Sequence, residues 1–403
     1  MLYGPGESWW TSDEGASYRN LLRNVTPARG RVAVTAKNKD GKGGAQERDL
    51  LVEAAREWHN RFGARWPRPR ADIALDIWAL THRHPPQPQN YAKRLLDQLG
   101  DDQGDPIVYV DDRQVTMLFV RVDATASNSI PDTVFFSAQL ASSVRESLRY
   151  AADRRRTRER YGDDQERETD WQTRIDMAEL EIESWAASST DRAKTYFLPR
   201  PIYKHQHLLQ QSVLSGVDNS AIGIVDGCAG LLRDSSLNDR RMVADQLSWL
   251  TQLPYVFNLG ALPRKSGDSV EFRAHVEAVI EARIRSYPAL FPVLCGVGVT
   301  VFYVAGHQGK DLDNALRLLM PPLLKHIRPP QSPYGNPDAL DDNAFEQWDN
   351  VRQGHLPPPQ GAISFVEAIV LRDVPYPEGT VIAALSDGRR RQSWWKLTIL
   401  DQP

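Results

Sequence analysis

The sequence predicts an α/β (α+β) chain in which one small set of strands and helices occurs twice, the two copies joined by a mainly helical middle region. Three observations predict it. Ala71–Asn90 (ADIALDIWALTHRHPPQPQN) and Cys295–Asn314 (CGVGVTVFYVAGHQGKDLDN) align without a gap at an offset of 224 residues. Ile73, Leu75 and Ile77 then fall on Val297, Val299 and Val301, so both segments keep the same period-2 phase of a strand. Upstream at that offset, Glu47–Phe62 lies over Glu271–Ser286, each with the three- and four-residue apolar spacing of an amphipathic helix.

After an N-terminal extension (residues 1–24), the first copy occupies residues 25–123. It opens with a β-prone run, Arg31–Thr35, which lies over Tyr255–Leu259; Gly/Lys-rich loops (37–43 and 260–267) follow both. The amphipathic helix and the long strand come next, then a leucine-rich helix, Tyr91–Leu99, over Ala315–Leu323. Ile107–Tyr109, Asp111 and Asp112 lead into a strand from Gln114 to Val122.

The middle region, 124–252, reads mostly as helix over Ser137–Ser189. Its basic run Arg149–Arg160 and the acidic stretch ending in Glu179, Glu181 and Glu183 suit a solvated helical hairpin or linker better than a DNA-contacting face. Residues 217–247 are either a third, degenerate copy, with Asp218-Asn219 and Asp239 echoing the acidic pattern, or simply helices. The second copy, 253–403, reaches its last strand, Ala362–Leu371, after a Pro-rich insertion at 329–361. Thr380–Leu385, Asp387-Gly388 and Gln392–Leu400 predict a hairpin with a type I′ turn. Its tip carries Arg389–Arg391 and its second strand Trp394, Trp395 and Lys396. Exposed, that set would stack on bases and pair with phosphates; the commoner outcome is packed tryptophans and solvated arginines.

Composition sets the outer bounds. The 403 residues are 41% hydrophobic and 25% charged, with 27 Pro and 26 Gly, which excludes collagen-like, largely disordered and disulfide-stapled classes and fits two or three domains. Cys228 and Cys295 lie far apart without Cys or His at zinc-ligand spacing, as expected of buried small hydrophobes in a reducing compartment. No apolar run approaches the ~20 residues of a membrane helix. The first residues lack the layout of a signal peptide, so a cytoplasmic protein is the expectation. With 49 Lys+Arg against 52 Asp+Glu the net charge is −3, so a nucleic-acid partner requires a local basic face.

The chemistry-bearing segment is Lys310-Asp311-Leu312-Asp313-Asn314, between a buried-type strand and a leucine-rich helix. Carboxylates at i and i+2 of an extended segment project to one side, and Asp313 or Asn314 suits a helix N-cap. Such a pair at a rigid junction suits Mg²⁺, which takes one or two carboxylates and fills its remaining places with water and substrate phosphate oxygens. Phosphodiester cleavage follows from that arrangement. Arg317, one turn on, is placed to hold a phosphate. The competing reading is that Asp311 and Asp313 merely cap the helix.

This arrangement resembles the RusA family of Holliday-junction resolvases, in which D-x-D-N precedes a helix with a basic residue near its start and a D-D-x-Q-V segment enters a strand. The resemblance implies small mixed sheets with packed helices, in tandem here, and clustered aspartates that bind Mg²⁺ (or Mn²⁺) to nick branched DNA. The second copy matches at Asp311, Asp313 and Asn314; Asp311 and Asp313 are the implied metal ligands and catalytic residues, with Arg317. The first copy matches at Asn90, Lys93 and Asp111-Asp112-Arg113-Gln114-Val115. Lys93, Lys310 and Arg317 are the implied nucleic-acid contacts.

The departures are specific. The first copy has Gln87 and Gln89 where the acidic pair belongs, so it reads as catalytically dead. The second has Arg317 for the family's lysine and no D-D-x-Q-V; Asp341, Asp342, Asp349 and Glu367 are the candidates for its third acid. Two readings follow: a pseudo-dimer within one chain, one half positioning branched DNA while the other cuts, or an inactive scaffold that binds structured nucleic acid or partner proteins. An α/β repeat without a nucleic-acid role is a third. His82, His84 and His307 flank the two loops and read as ordinary polar loop residues; His205 and His207 lack acidic or Cys partners, which argues against zinc. There is no P-loop, dinucleotide-binding glycine pattern or G-x-S-x-G elbow.

Overall fold

The central strand of each copy forms where the apolar alternation is strongest: β2 over Ile73–Thr81 and β6 over Val297–Val304, their first residues 224 apart. The computed structural model of the chain describes residues 27–37, 44–62, 65–82, 85–100, 106–124, 131–145, 209–218, 237–263, 269–291, 293, 295–305, 312–327 and 363–395. They fall into two units, Met1–Val144 and Arg145–Pro403.

The first unit runs β1 (Ala28–Val32), α1 (Gly44–Phe62), β2, α2 (Pro88–Leu99), a 3-10 turn (Asp112–Gln114), β3 (Val115–Ala124) and β4 (Thr133–Leu140). Its sheet has the order β1-β4-β2-β3: β4 is antiparallel to both neighbours, and β3 is parallel to β2. The second unit has a helix α3 at 209–218. It continues with α4 (Leu237–Leu250), β5 (Val256–Ala261), α5 (Ser269–Ser286), β6, α6 (Leu312–Ile327), β7 (Phe365–Leu371) and β8 (Thr380–Asp387). Its sheet order is β5-β8-β6-β7, with β8 antiparallel to both neighbours and β7 parallel to β6. The two units therefore share one mixed topology.

One face of each central strand is apolar throughout. Ile73, Leu75, Ile77 and Ala79 are fully buried, as are Leu51 of α1 and Tyr91 and Leu95 of α2. Each such large side chain stabilises by about 1.5–3 kcal/mol when removed from water. α1 and α2 are also pinned to each other by a buried polar contact. The Glu47 carboxylate takes a short bond from Arg94 Nε and bonds at 3.2 Å from the Tyr91 hydroxyl and Gln98 Nε2. Burial, with Glu47 beside it, pushes the Tyr91 phenol well above its ordinary pKa. At the 224 offset the second unit has Leu318, Ala315 and Pro322 in place of Arg94, Tyr91 and Gln98, so α5 and α6 lack this pin.

Three expectations change. The first strand forms over Ala28–Val32 rather than Arg31–Thr35. Ser137 pairs with Asp76 and Arg29, while Ala384, at the same place, pairs with Thr300 and Val256; Arg29 thus corresponds to Val256, an offset of 227. The first copy has three more residues between this strand and its helix. Gly30 fixes the choice, because a Cβ there would lie 2.2 Å from the Phe136 ring. Second, Thr133–Leu140 lies in the region expected to be mainly helical but forms β4 of the first sheet. The helix-like run that begins at Ala141 masked its alternation. The eight strands fall four to each unit, so no third set occurs among the described residues; the Arg149–Arg160 run, His205 and His207 lie outside those residues.

Third, the C-terminal hairpin does not form among the described residues. β8 lies between β5 and β6, and neither Asp387 nor Gly388 takes the positive φ of a type I′ turn. Asp387 instead accepts from the Arg389 backbone N–H at 2.9 Å, and Trp394 and Trp395 sit in a helical turn, both indoles buried. Among the described residues no helix is long and apolar enough to cross a membrane.

Candidate functional site

In the first unit the site is built at the start of α2 and the entry to β3. Pro88 occupies the first turn of α2, where its missing N–H is no loss, and the Gln87 carbonyl accepts from Asn90 and Tyr91. Gln89 is buried in this first turn. Lys93, one turn on, sets its ammonium 2.8 Å from Asp97 Oδ1 and 3.9 Å from Asp112 Oδ2.

The D-D-x-Q-V segment has a structural explanation. Gln114 Oε1 accepts from the backbone N–H groups of Val110 and Asp111 at 2.9 and 3.0 Å, while its Nε2 donates to the carbonyls of Arg68 and Ala71 at 2.8 and 2.9 Å. One side chain thus ties the turn before β3 to the loop before β2. Asp111 caps that turn and chelates Arg113, whose bonds hold its carboxyl below the usual range. Of the two acids, Asp112 is the one near Lys93. With Gln87 and Gln89 neutral and an ammonium already beside Asp97 and Asp112, this site does not fit a metal ion.

In the second unit Asp313 holds the place of Gln89, in the first turn of α6, 1% exposed. Arg317 holds the place of Lys93 but is exposed, and no ion pair joins it to a carboxylate among the described residues. Lys310, Asp311, His307, Asp341, Asp342 and Asp349 lie outside those residues, as does His84. Asp112 stands six residues before Leu118, the partner of Leu75; Val366 is the corresponding partner of Val299, and the residue six before it is Gln360. The donors Asp311 and Asp313 are hard carboxylates, suited to Mg²⁺. Among the described residues, no group of three or more acidic, His or Cys side chains is placed to hold an ion.

Glu367 is not the third acid of that set. It is fully buried in mid-β7, opposite Thr300, and its two oxygens are engaged. Oε2 takes Arg390 Nη2 at 2.6 Å and Oε1 takes the Trp394 backbone N–H at 2.8 Å. The Arg390 guanidinium lies 4.4 Å from the Phe365 ring and 4.8 Å from the Trp394 ring. Phe365 fits because Gly298 has no Cβ, which would otherwise lie 2.0 Å from the ring. Asp218, at the end of α3, completes the cluster: it accepts from Trp394 Nε1 at 3.3 Å and from the Asp387 N–H at 2.9 Å. Burial raises the Asp218 carboxyl above its ordinary pKa, against the pull of Arg390. These contacts anchor the C-terminal segment on the sheet.

Sequence reasoning missed this cluster because its members lie up to 176 positions apart; a buried arginine next to two tryptophans was the available signal. It also passed over Asp132, which accepts short bonds from Thr35 Oγ1 and His82 Nδ1. Burial opposes ionisation of Asp132, but those bonds prevail and lower its pKa. The chain matches no family model, no curated protein and no solved structure.

Proposed function

We propose that the chain is a tandem RusA-like protein whose second unit is a Mg²⁺-dependent endonuclease for branched DNA, and whose first unit positions that DNA. The observation that carries this reading is the placement of Asp313, a carboxylate in the first turn of α6 directly after the central strand, in a unit whose mixed sheet recurs in the first half. Asp311 and Asp313 would hold Mg²⁺, with Mn²⁺ as a substitute. When bound, the ion supplies charge neutralisation at the phosphate and acidifies a water. The exposed Arg317 would bind the phosphodiester, with Lys310 as the second cation the motif supplies, and the positive end of the α6 dipole favours that anion. Lys93 reaches DNA only by leaving Asp97 and Asp112, so it contributes less to positioning than its sequence place suggests.

A second reading is an inactive scaffold for structured DNA. It is favoured by the sequence, which has Gln360 six residues before Val366 where Asp112 is six before Leu118, and by the commitment of Glu367 to Arg390. Incubation of a labelled four-way junction with Mg²⁺, beside Asp311→Asn/Asp313→Asn, separates the two. Cleavage by the wild type alone is expected. Equal products from both proteins refute the site assignment, and junction binding without cleavage in Mg²⁺ and Mn²⁺ selects the scaffold.

A further inference from the structure

We propose that Trp78, the exposed ring in the row that crosses β1, β4, β2 and β3, is a stacking platform for an unpaired nucleobase, with Arg31 as the cation for its phosphate; the ligand class rests on the nucleic-acid reading above. Four residues form one straight row across four strands. Arg31 pairs with Phe135, Phe135 with Trp78, and Trp78 with Arg121. Trp78 is 42% exposed in a strand otherwise largely buried. Its ring is fixed in place: Nε1 donates to Asp123 Oδ2 at 2.8 Å, and Arg121 holds that carboxylate at 2.8 Å. Phe135 stacks beside it, centroids 5.2 Å apart and planes 16° from parallel, and the Arg31 guanidinium lies 5.1 Å from the Phe135 ring. In the adjacent row Arg29 donates to Ser137 Oγ at 3.2 Å and its guanidinium lies 5.5 Å from the Trp58 ring of α1, so Arg31 is the exposed guanidinium that β1 offers beside Phe135. Among the described strand residues the acids on this face are Asp76, opposite Ser137, and Asp123, which is engaged as described.

The second unit shows what such a face accepts. Its corresponding row is Asn258–Ile382–Phe302–Ile369. Phe302, at the place of Trp78, is buried under the indole of Trp394, with centroids 5.4 Å apart and planes 20° from parallel, and Trp394 carries the Arg390 guanidinium. A flat ring from the chain's own C-terminal segment closes that face. The first sheet offers a larger ring and cationic neighbours, and the ring remains exposed. A base with its phosphate supplies the flat surface and the negative charge together, and base–aromatic stacking beside arginine is tolerant of sequence.

The test is a short oligothymidylate carrying one 2-aminopurine, titrated with the full-length chain. Saturable quenching of the probe is expected with the wild type. Trp78→Leu should abolish the quench and weaken binding about 10-fold, while Trp78→Phe keeps most of both. Arg31→Gln should weaken binding and flatten its salt dependence. If Trp78→Leu does not fold by circular dichroism, Arg31→Gln still decides the matter, since a dispensable platform leaves its affinity and salt dependence at wild-type values. Undiminished quenching in Trp78→Leu overturns the proposal, as does absence of oligonucleotide binding. Self-association lost in Trp78→Leu would give the face to a second copy and also overturn it. Junction cleavage with Trp78-independent quenching sinks this inference alone. Trp78-dependent quenching without junction binding sinks the resolvase reading alone.

Discussion

Arg390→Met isolates the energetic role of the buried cluster under the C-terminal segment. The substitution removes a 2.6 Å charge-assisted bond to Glu367, a 3.2 Å bond to Thr300 Oγ1 and the guanidinium held between Phe365 and Trp394. It leaves the fully buried Glu367 carboxylate facing two neutral donors, the Trp394 N–H and the Thr300 hydroxyl. Removing one partner of a buried ion pair costs about 3–5 kcal/mol, mostly the cost of the charge left behind. Adding Glu367→Gln removes that charge, so the double variant should recover at least about 2 kcal/mol relative to the sum of the single effects. Urea unfolding followed by circular dichroism measures all corners of the cycle. Additive losses would refute the reasoning, because they would mean that the two groups do not compensate each other. The cycle also settles what Glu367 is for. A metal ligand replaced by Gln loses Mg²⁺-dependent activity at unchanged stability, whereas the structural carboxylate described above loses stability first.

Four further outcomes follow from the same geometry. In a Cys228→Ser background Cys295 should resist a thiol reagent at pH 8 until the chain is unfolded, since burial pushes its thiol up to about 12; rapid labelling of the native protein would contradict this. Asp132→Asn should reduce stability near neutrality, and the gap to wild type should close as pH falls below the ordinary carboxyl value of 3.8: the lowered folded pKa means that the stabilisation is present above the unfolded value and lost as pH drops through the folded one, which acid titration of unfolding measures. Arg94→Met should destabilise the first unit by about 3 kcal/mol, with partial recovery in Glu47→Gln/Arg94→Met, read by thermal unfolding. Gln87→Asp/Gln89→Asp, made together with Asp311→Asn/Asp313→Asn, should lower the melting temperature without Mg²⁺ and regain about 3 °C or more with it, a response that the parent lacks.

Elements with internal periodicity were legible in the sequence. β2, β6, α1 and α5 formed where alternation or helical spacing placed them, because burying one apolar face decides both their existence and their phase. What the period could not fix was register. β1 slid three residues against the alignment because Gly30 must sit beneath the Phe136 ring, a constraint set by a strand more than 100 residues away. β4 went unseen for a related reason: its partners flank it only after the fold closes. At the site, the place of Asp313 and Arg317 on their helix was readable from spacing. The capture of Lys93 by Asp97, and of Glu367 by Arg390, was not, since pairing depends on which neighbour a sheet brings near.

Comparison of the corresponding positions turns the two half-matching motifs into a physical contrast. The first unit has Gln87, Gln89, Lys93, Asp97 and Asp112; the second has Asp311, Asp313, Arg317, Pro321 and Gln360. Each set holds two carboxylates and one cation, so each carries the same formal charge of −1. The charges are placed differently. In the first, both acids lie near the ammonium, which is an internal counter-ion already in contact. In the second, Asp313 stands in the first turn of α6, Asp311 lies outside the described residues, and Arg317 is one turn further on and exposed. Carboxylates that share a site favour a cation between them, and a protein ammonium serves that need as a metal does, but permanently. Lys93 therefore does more than accompany the loss of Gln87 and Gln89 to neutrality: it makes a metal superfluous there. Arg317, by contrast, is exposed, so the second unit keeps the corresponding cation at its surface, one turn beyond Asp313, and that asymmetry is what a Mg²⁺ titration of the wild type beside Asp311→Asn/Asp313→Asn tests.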